Sequence, residues 1–383
     1  MIINSIIAGG GITPSGTISI TSNGTYDVTS YASADVNVGG SDADYKAFIA
    51  RSTNTPTLPS GLTTIGAYAF YNWTSLAISS LPSGVTSIGS RAFYGCTNLV
   101  LSSLPSGVTT INDYAFYNCS KLALSNLPSG VTTIGNYAFY GCPRLALSSL
   151  PSGVTTIGNY AFYGCTDLAL TSLPSGATSV GNYAFHSCVN LALTSLPSGT
   201  KYIQQYEFYG CTSLALTSLP DSVINIGSHA FNSCTGLTTI SCTGAITTMA
   251  DAAFRACSNL VTASFPNMSP SYLYTTFGYT TASAACQKLE TADIGKTSGI
   301  AANAFANCYK LQTLVLRKTG SICTLANVSA FNNTPMNGYG GLTGTVYVPS
   351  ALISSYKTAS GWSTLYNNGT LTFAAIEGSQ YEL

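Results

Sequence analysis

Little in this sequence carries charge: 7% of its 383 residues are Asp, Glu, Lys or Arg, thirteen basic against thirteen acidic. A chain with no net charge offers no basic stripe to track phosphates and no polybasic segment for anionic lipid, so neither nucleic acid nor membrane is an expected partner. Histidine occurs only at His186 and His229, each without an acid close by in sequence. The carboxylates Asp167, Glu207, Asp221 and Asp251 are scattered, so neither a Ser-His-Asp set nor an acid pair can be argued. No CxxC pair occurs to start a zinc site, and no apolar run approaches the ~20 residues of a membrane-spanning helix. The opening, MIINSIIAGGGITPSG, lacks the basic start of an export signal. The chain as written is therefore expected to be soluble, not exported by the usual route, and neither an enzyme nor dependent on a cofactor.

What the sequence does have is repetition. Residues 127–142 and 150–165 both read LPSGVTTIGNYAFYGC, and 104–119 differ from them at three positions. Phenylalanines recur every 23 residues at Phe70, Phe93, Phe116, Phe139, Phe162, Phe185, Phe208, Phe231, Phe254 and Phe277. An aliphatic column runs five places earlier, from Ile65 to Met249, and a leucine column six places later, from Leu76 to Leu260. After residue 266 the steps lengthen, to Phe305 and Phe331, giving about twelve coils. A fixed period with fixed apolar columns marks a repeat solenoid, mostly strand and loop, in which each coil covers its neighbour's apolar face. LPSG supplies a turn, VTTIG reads as a short strand, and the glycine four before most phenylalanines suits a backbone bend. Leu168 and Leu170 alternate as in a strand, but Leu173 has the other parity, so a bulge or strand end is expected between them.

The stretch LPSGVTTIGNYAFYGCTDLALTSLP closely resembles the BspA-like, or treponemal-type, leucine-rich repeat family, over about residues 57–335. The resemblance implies a right-handed solenoid with a sheet along one face, and relatives that are mostly surface adhesins or binding proteins. It also implies inward apolar residues three and five places after the consensus leucine; here they fall two and five after, so the strand at this place is expected to be shifted or shortened. Four segments follow: a small β module at 1–40, a helical cap at 41–56, the solenoid at 57–335, and a closing cap at 336–383 that reads as strand, helix and aromatic plug. The first forty residues, with YDVTSYASADVNV, and the ending AAIEGSQYEL resemble minor structural and tail proteins of phages and prophages of gut Gram-positive bacteria. That resemblance implies attachment to other virion proteins through the N-terminal module, and a virion or extracellular location.

Cys96, Cys119, Cys142, Cys165 and four later cysteines sit three places after the repeat phenylalanine. In a parallel stack neighbours would lie within bridging range, but their Cβ vectors run side by side, and a line of thiols cannot surround a metal. A ladder of buried free thiols beside Phe93, Phe116, Phe139 and Phe162 is the favoured reading, and Trp73 in the first coil's cysteine slot agrees with a packing role. Outside the core lie two tyrosine columns. Tyr71, Tyr94, Tyr117, Tyr140, Tyr163, His186 and Tyr209 follow the phenylalanine; Tyr68, Tyr114, Tyr137, Tyr160, Tyr183 and Tyr206 stand two before it, with Arg91 interrupting. A residue beside an inward phenylalanine points out, so the rings form an external ribbon, and its flat faces suit a glycan or a protein. Stacking that only steadies neighbouring coils is the other reading. The functional expectation is a host-recognition protein contacting a bacterial surface glycan or protein receptor; a mucin-binding adhesin and a passive spacer are the alternatives.

Overall fold

The computed structural model describes residues 62–383, with Leu58 and the backbone strand Thr25–Tyr26. The β module at 1–40, apart from that strand, and the helical cap at 41–56 therefore lie outside the described residues. The fold is a parallel β-solenoid of about 14 turns with a period of about 23 residues. That exceeds the twelve turns counted from phenylalanines, because strands Gly344–Val348 and Leu371–Ala375 continue a sheet past Phe331 without the phenylalanine column. The chain divides into two compact units, residues 1–191 and 192–383.

In the first unit each VTTIG contributes a two-residue strand. Thr110–Ile111, Thr133–Ile134, Thr156–Ile157 and Ser179–Val180 pair in parallel, each position facing its equivalent 23 residues on. Thr25–Tyr26, Thr64–Ile65 and Ser87–Ile88 form a second such sheet. The strands are short because turns flank them. Val131 and Val154 N–H groups close the LPSG turn on the Pro128 and Pro151 carbonyls at 3.0 Å. The isoleucines of these strands point in, with Ile65, Ile88, Ile111 and Ile134 fully buried, while Val180 is half-buried.

The glycine after each strand serves a different purpose from the bend expected. Gly89, Gly135, Gly158 and Gly181 have ordinary negative φ, but a Cβ on Gly158 would lie 2.5 Å from the Asn136 amide nitrogen of the preceding coil. The requirement is close approach between coils, met by the lack of a side chain. Asn112 fills the same column in another way, its amide donating to the Ile88 carbonyl at 2.6 Å.

The leucine segment shows how local spacing decides secondary structure. Where the leucines fall two and five apart, as in Leu145, Leu147 and Leu150, all three are buried but no strand forms. A bend at Ser148 swings the chain so that Leu150 can turn inward despite its parity, and Ser102, Ser125 and Thr171 repeat the device. From residue 237 the spacing becomes three and five: Leu237, Ile240 and Cys242, then Leu260, Ala263 and Phe265. Parity is then consistent, and a six-stranded parallel sheet appears in the second unit, in the order Thr239–Ser241, Thr262–Ser264, Thr291–Asp293, Thr313–Val315, Gly344–Val348 and Leu371–Ala375. The helices Ile353–Thr358 and Trp362–Asn367 lie between its last two strands and bury Tyr356 and Trp362 against Phe373. Arg317 and Asp293 form a buried ion pair at 2.7 Å, and the Arg317 guanidinium also donates to the Tyr381 carbonyl at 2.6 Å, which fastens the chain end.

The phenylalanines stack as an internal column. Phe93, Phe116, Phe139, Phe162 and Phe185 are fully buried, with successive centroids 5.3–5.5 Å apart. All twelve cysteines are free and buried. They do more than fill space, since Cys96, Cys119, Cys142 and Cys165 each donate the thiol to the phenylalanine carbonyl of the preceding coil at 3.0–3.1 Å. Burial pushes the thiols of Cys96, Cys119, Cys165, Cys234, Cys286 and Cys308 well above the usual range. A disulfide-exchange reagent at pH 8 is therefore expected to titrate fewer than about one thiol per native chain and all twelve after denaturation. Rapid labelling of several thiols in the native protein would contradict the buried ladder.

Candidate functional site

The aromatic surface is built by an alternating backbone. The residues two before, at and two after each phenylalanine donate their N–H groups to the next coil: Tyr137 to Asn159, Phe139 to Ala161 and Gly141 to Tyr163, at 2.7–2.8 Å. Intervening N–H groups turn back within the coil, as Tyr140 does to Tyr137 at 3.2 Å. This alternation requires left-handed backbone at both flanking positions. Gly141 has φ 66° and Gly164 φ 71°, at no steric penalty. At the other position Tyr114, Tyr137, Tyr160 and Tyr183 have φ of 55–58°. A bulky residue there is strained by about 1–2 kcal/mol. Arg91, His229, Ala252 and Asn303 occupy the same position in other coils, so the backbone demands the conformation whatever the side chain.

A third column supports the second. Asp113, Asn136 and Asn159, each just before a strained tyrosine, accept at Oδ1 the backbone N–H of the equivalent residue one coil on, at 2.7–2.8 Å. The recurring Asn of NYAF was the signal for this ladder, and sequence reasoning passed it by.

Both tyrosine columns stack ring on ring. Tyr71, Tyr94, Tyr117, Tyr140, Tyr163 and His186 have successive centroids 4.3–4.7 Å apart. Tyr114, Tyr137, Tyr160 and Tyr183 follow at 4.5–4.6 Å with planes within 7° of parallel. The two columns stand 5.8–6.0 Å apart within a coil. Tyr209 lies in the second unit, 5.6 Å from Tyr206, which stacks on His229 at 4.5 Å. Beyond it the column after the phenylalanine continues as Asn232 and Arg255, with Arg255 seated 3.4 Å over the Tyr279 ring.

This geometry corrects one expectation. Rings at the spacing of paired strands cover one another's faces, so the columns do not present flat faces to a ligand. They present half-exposed edges and hydroxyl tips at a repeat of about 4.5 Å. Burial, followed by repulsion from neighbouring phenols, pushes the hydroxyls of Tyr94, Tyr117, Tyr137 and Tyr140 up, Tyr117 to about 12. They remain protonated donors at any physiological pH. His186 is lowered by burial to about 4, its Nδ1 lies 2.9 Å from the Ser187 hydroxyl, and it continues the column as a neutral ring. Among the described residues no group of three His, Cys, Asp or Glu side chains could hold a metal ion.

Strain and stacking make a distinguishing prediction. Tyr160→Ala keeps the left-handed strain and loses the ring contacts with Tyr137, Tyr140, Tyr163 and Tyr183, whereas Tyr160→Gly loses the same contacts but relaxes the backbone. The glycine variant is expected to be more stable than the alanine variant by about 1 kcal/mol in urea unfolding. The reverse order would show that the backbone is not left-handed there.

Parallel coils, a 23-residue period and a leucine column define a leucine-rich repeat solenoid. The sequence matches a model of the BspA type leucine-rich repeat region over residues 41–169, 178–312 and 268–339, and the chain belongs to that family. A leucine-rich repeat protein from Bacteroides ovatus is 24% identical, with a TM-score of 0.50 over 82% of this chain and 88% of that one, and shares the fold. A leucine rich cell surface protein from Faecalibacterium prausnitzii is 25% identical over 82% of this chain and 81% of that one, with a TM-score of 0.47. The T. pallidum leucine rich repeat protein is 35% identical over 42% of this chain and 74% of that one, with a TM-score of 0.35. No curated protein matches the sequence. Family membership suggests a binding or structural role rather than catalysis.

Proposed function

We propose that this is a non-enzymatic recognition protein whose tyrosine columns contact a glycan or protein on a bacterial surface, and that it is carried on a phage or prophage particle. The observation that carries the binding reading is the strained column. Glycine or asparagine would satisfy the backbone at residues 114, 137, 160 and 183 more cheaply than tyrosine. Stacking returns about 0.2–1 kcal/mol per pair, which over the neighbours of each ring offsets the strain without a clear surplus, so stability alone gives weak reason for tyrosine in four successive coils. Function is a common reason for strain of this kind. A row of weak donors acts through repetition, each contact adding to the effective concentration of the next. The particle address is supported by the resemblance of the first forty residues and the last ten to virion proteins.

The test is binding of the labelled full-length protein to a panel of gut bacterial cells and to intestinal mucin, with antibody labelling of phage particles induced from the host. Retention by a narrow set of bacteria together with labelled particles is the expected result. Mucin binding without particle labelling would point to the adhesin, and no binding to any surface would leave a passive spacer.

A further inference from the structure

Between residues 62 and 191 only five side chains are charged: Arg91, Asp113, Lys121, Arg144 and Asp167. Arg91 is the one within the tyrosine columns. It takes the place of a tyrosine, in the same left-handed backbone at φ 57°. Its guanidinium fills the gap left by the missing ring, with Cζ 4.4 Å from the Tyr114 centroid and 5.4 Å from that of Tyr68. Nη1 donates to the Tyr68 hydroxyl at 3.1 Å in an exposed hydrogen bond. Among the described residues Arg91 has no carboxylate partner. Asp113, whose backbone carbonyl accepts the Arg91 N–H at 3.0 Å, spends Oδ1 on the Asn136 backbone N–H at 2.7 Å. The guanidinium is thus oriented by two rings and one hydroxyl while most of its N–H donors stay free, which is the arrangement that suits an oxyanion.

We infer that the ligand of the tyrosine surface is an acidic polysaccharide, and that Arg91 binds one of its carboxylate or phosphate groups while the phenolic hydroxyls donate to neighbouring sugar oxygens. This rests on the tyrosine reading above and adds the ligand class to it. The phenolic tips are uncharged hydrogen-bonding groups, and a single fixed cation among them selects for negative charge. A protein partner would be selected by aromatic faces, which this surface keeps covered.

The test uses the full-length protein on immobilised polygalacturonate, poly(glycerol phosphate) and the neutral glucan pullulan. The variants are Arg91→Tyr, which restores the column's own residue and so should fold, and the triple variant Tyr117→Phe, Tyr140→Phe, Tyr163→Phe. Wild type is expected to bind at least one acidic polymer on the order of tenfold more tightly than pullulan at low salt, with the margin shrinking at high salt. The polymer preferred tells carboxylate from phosphate. Arg91→Tyr is expected to erase the preference for the acidic polymers over pullulan. Equal preference in wild type and Arg91→Tyr, or no binding to either acidic polymer, would overturn the inference. If Arg91→Tyr changes nothing but the triple variant loses all binding, the tyrosine reading stands without Arg91; if only Arg91→Tyr has an effect, the tyrosine reading is the one that fails.

Discussion

Replacing Phe139 by alanine is expected to destabilise the first unit by about 4 kcal/mol in urea unfolding. Phe139 is fully buried and its ring lies 5.5 Å from both Phe116 and Phe162. Each coil buries its apolar face only against its neighbours, so a cavity in one coil weakens two interfaces. Stability in a stacked array is close to a sum of coil and interface terms, and an interior loss of this size divides the array. The variant is therefore expected to show a broadened or two-step transition where wild type shows a sharper one. A loss below about 1 kcal/mol would mean that the phenylalanine column is not the core.

The second large effect concerns Glu207, the one carboxylate in a column of alanines. Ala138, Ala161 and Ala184 precede it and Ala230 and Ala253 follow it. Its side chain is 2% exposed and accepts the Gln204 N–H at 2.7 Å. Burial pushes its carboxyl up to about 8, with the Gln204 hydrogen bond opposing. In the unfolded chain the group ionises near its ordinary value of about 4.3. Between these values the unfolded state has lost a proton that the folded state keeps, so stability falls as pH rises through the window and levels off above pH 8. The loss is on the order of 5 kcal/mol over that range. Glu207→Ala is expected to remove this slope and to be the more stable protein at pH 8.5, as read from urea midpoints at several pH values. A variant no more stable than wild type at pH 8.5 would contradict the account of a buried, unpaired carboxyl.

Sequence alone reveals the core of this fold with little ambiguity up to about residue 266, because the phenylalanine, aliphatic and cysteine columns keep the 23-residue step that far. Spacing within the leucine segment pointed to a shifted or shortened strand, and the structure goes further: with Leu145, Leu147 and Leu150 unable to share one strand face, no strand forms there at all. The role of the post-strand glycines was not legible, since a tight approach to the coil below and a bend both call for glycine. Gly141 and Gly164 two places after the phenylalanine, with Asn72 and Asn118 in other coils, did signal left-handed backbone. Nothing signalled it at Tyr137 or Tyr160, because tyrosine is a poor residue for that conformation. The covering of the ring faces was derivable in advance: planar rings repeated at strand spacing leave no room for a ligand between them.

In the proposed function recognition runs through hydroxyl tips, since the ring faces are taken up by stacking. Tyr117→Phe, Tyr140→Phe, Tyr163→Phe removes three hydroxyls and leaves three stacked rings, so its urea midpoint should match wild type within about 0.5 kcal/mol. The measurement to make is the affinity of this folded triple variant, beside wild type, for whichever bacterial cell or polysaccharide the full-length protein retains. A loss on the order of tenfold or more, with stability unchanged, is the predicted result. Undiminished binding by the hydroxyl-free ladder would contradict it and return the tyrosine columns to a role in holding the coils together.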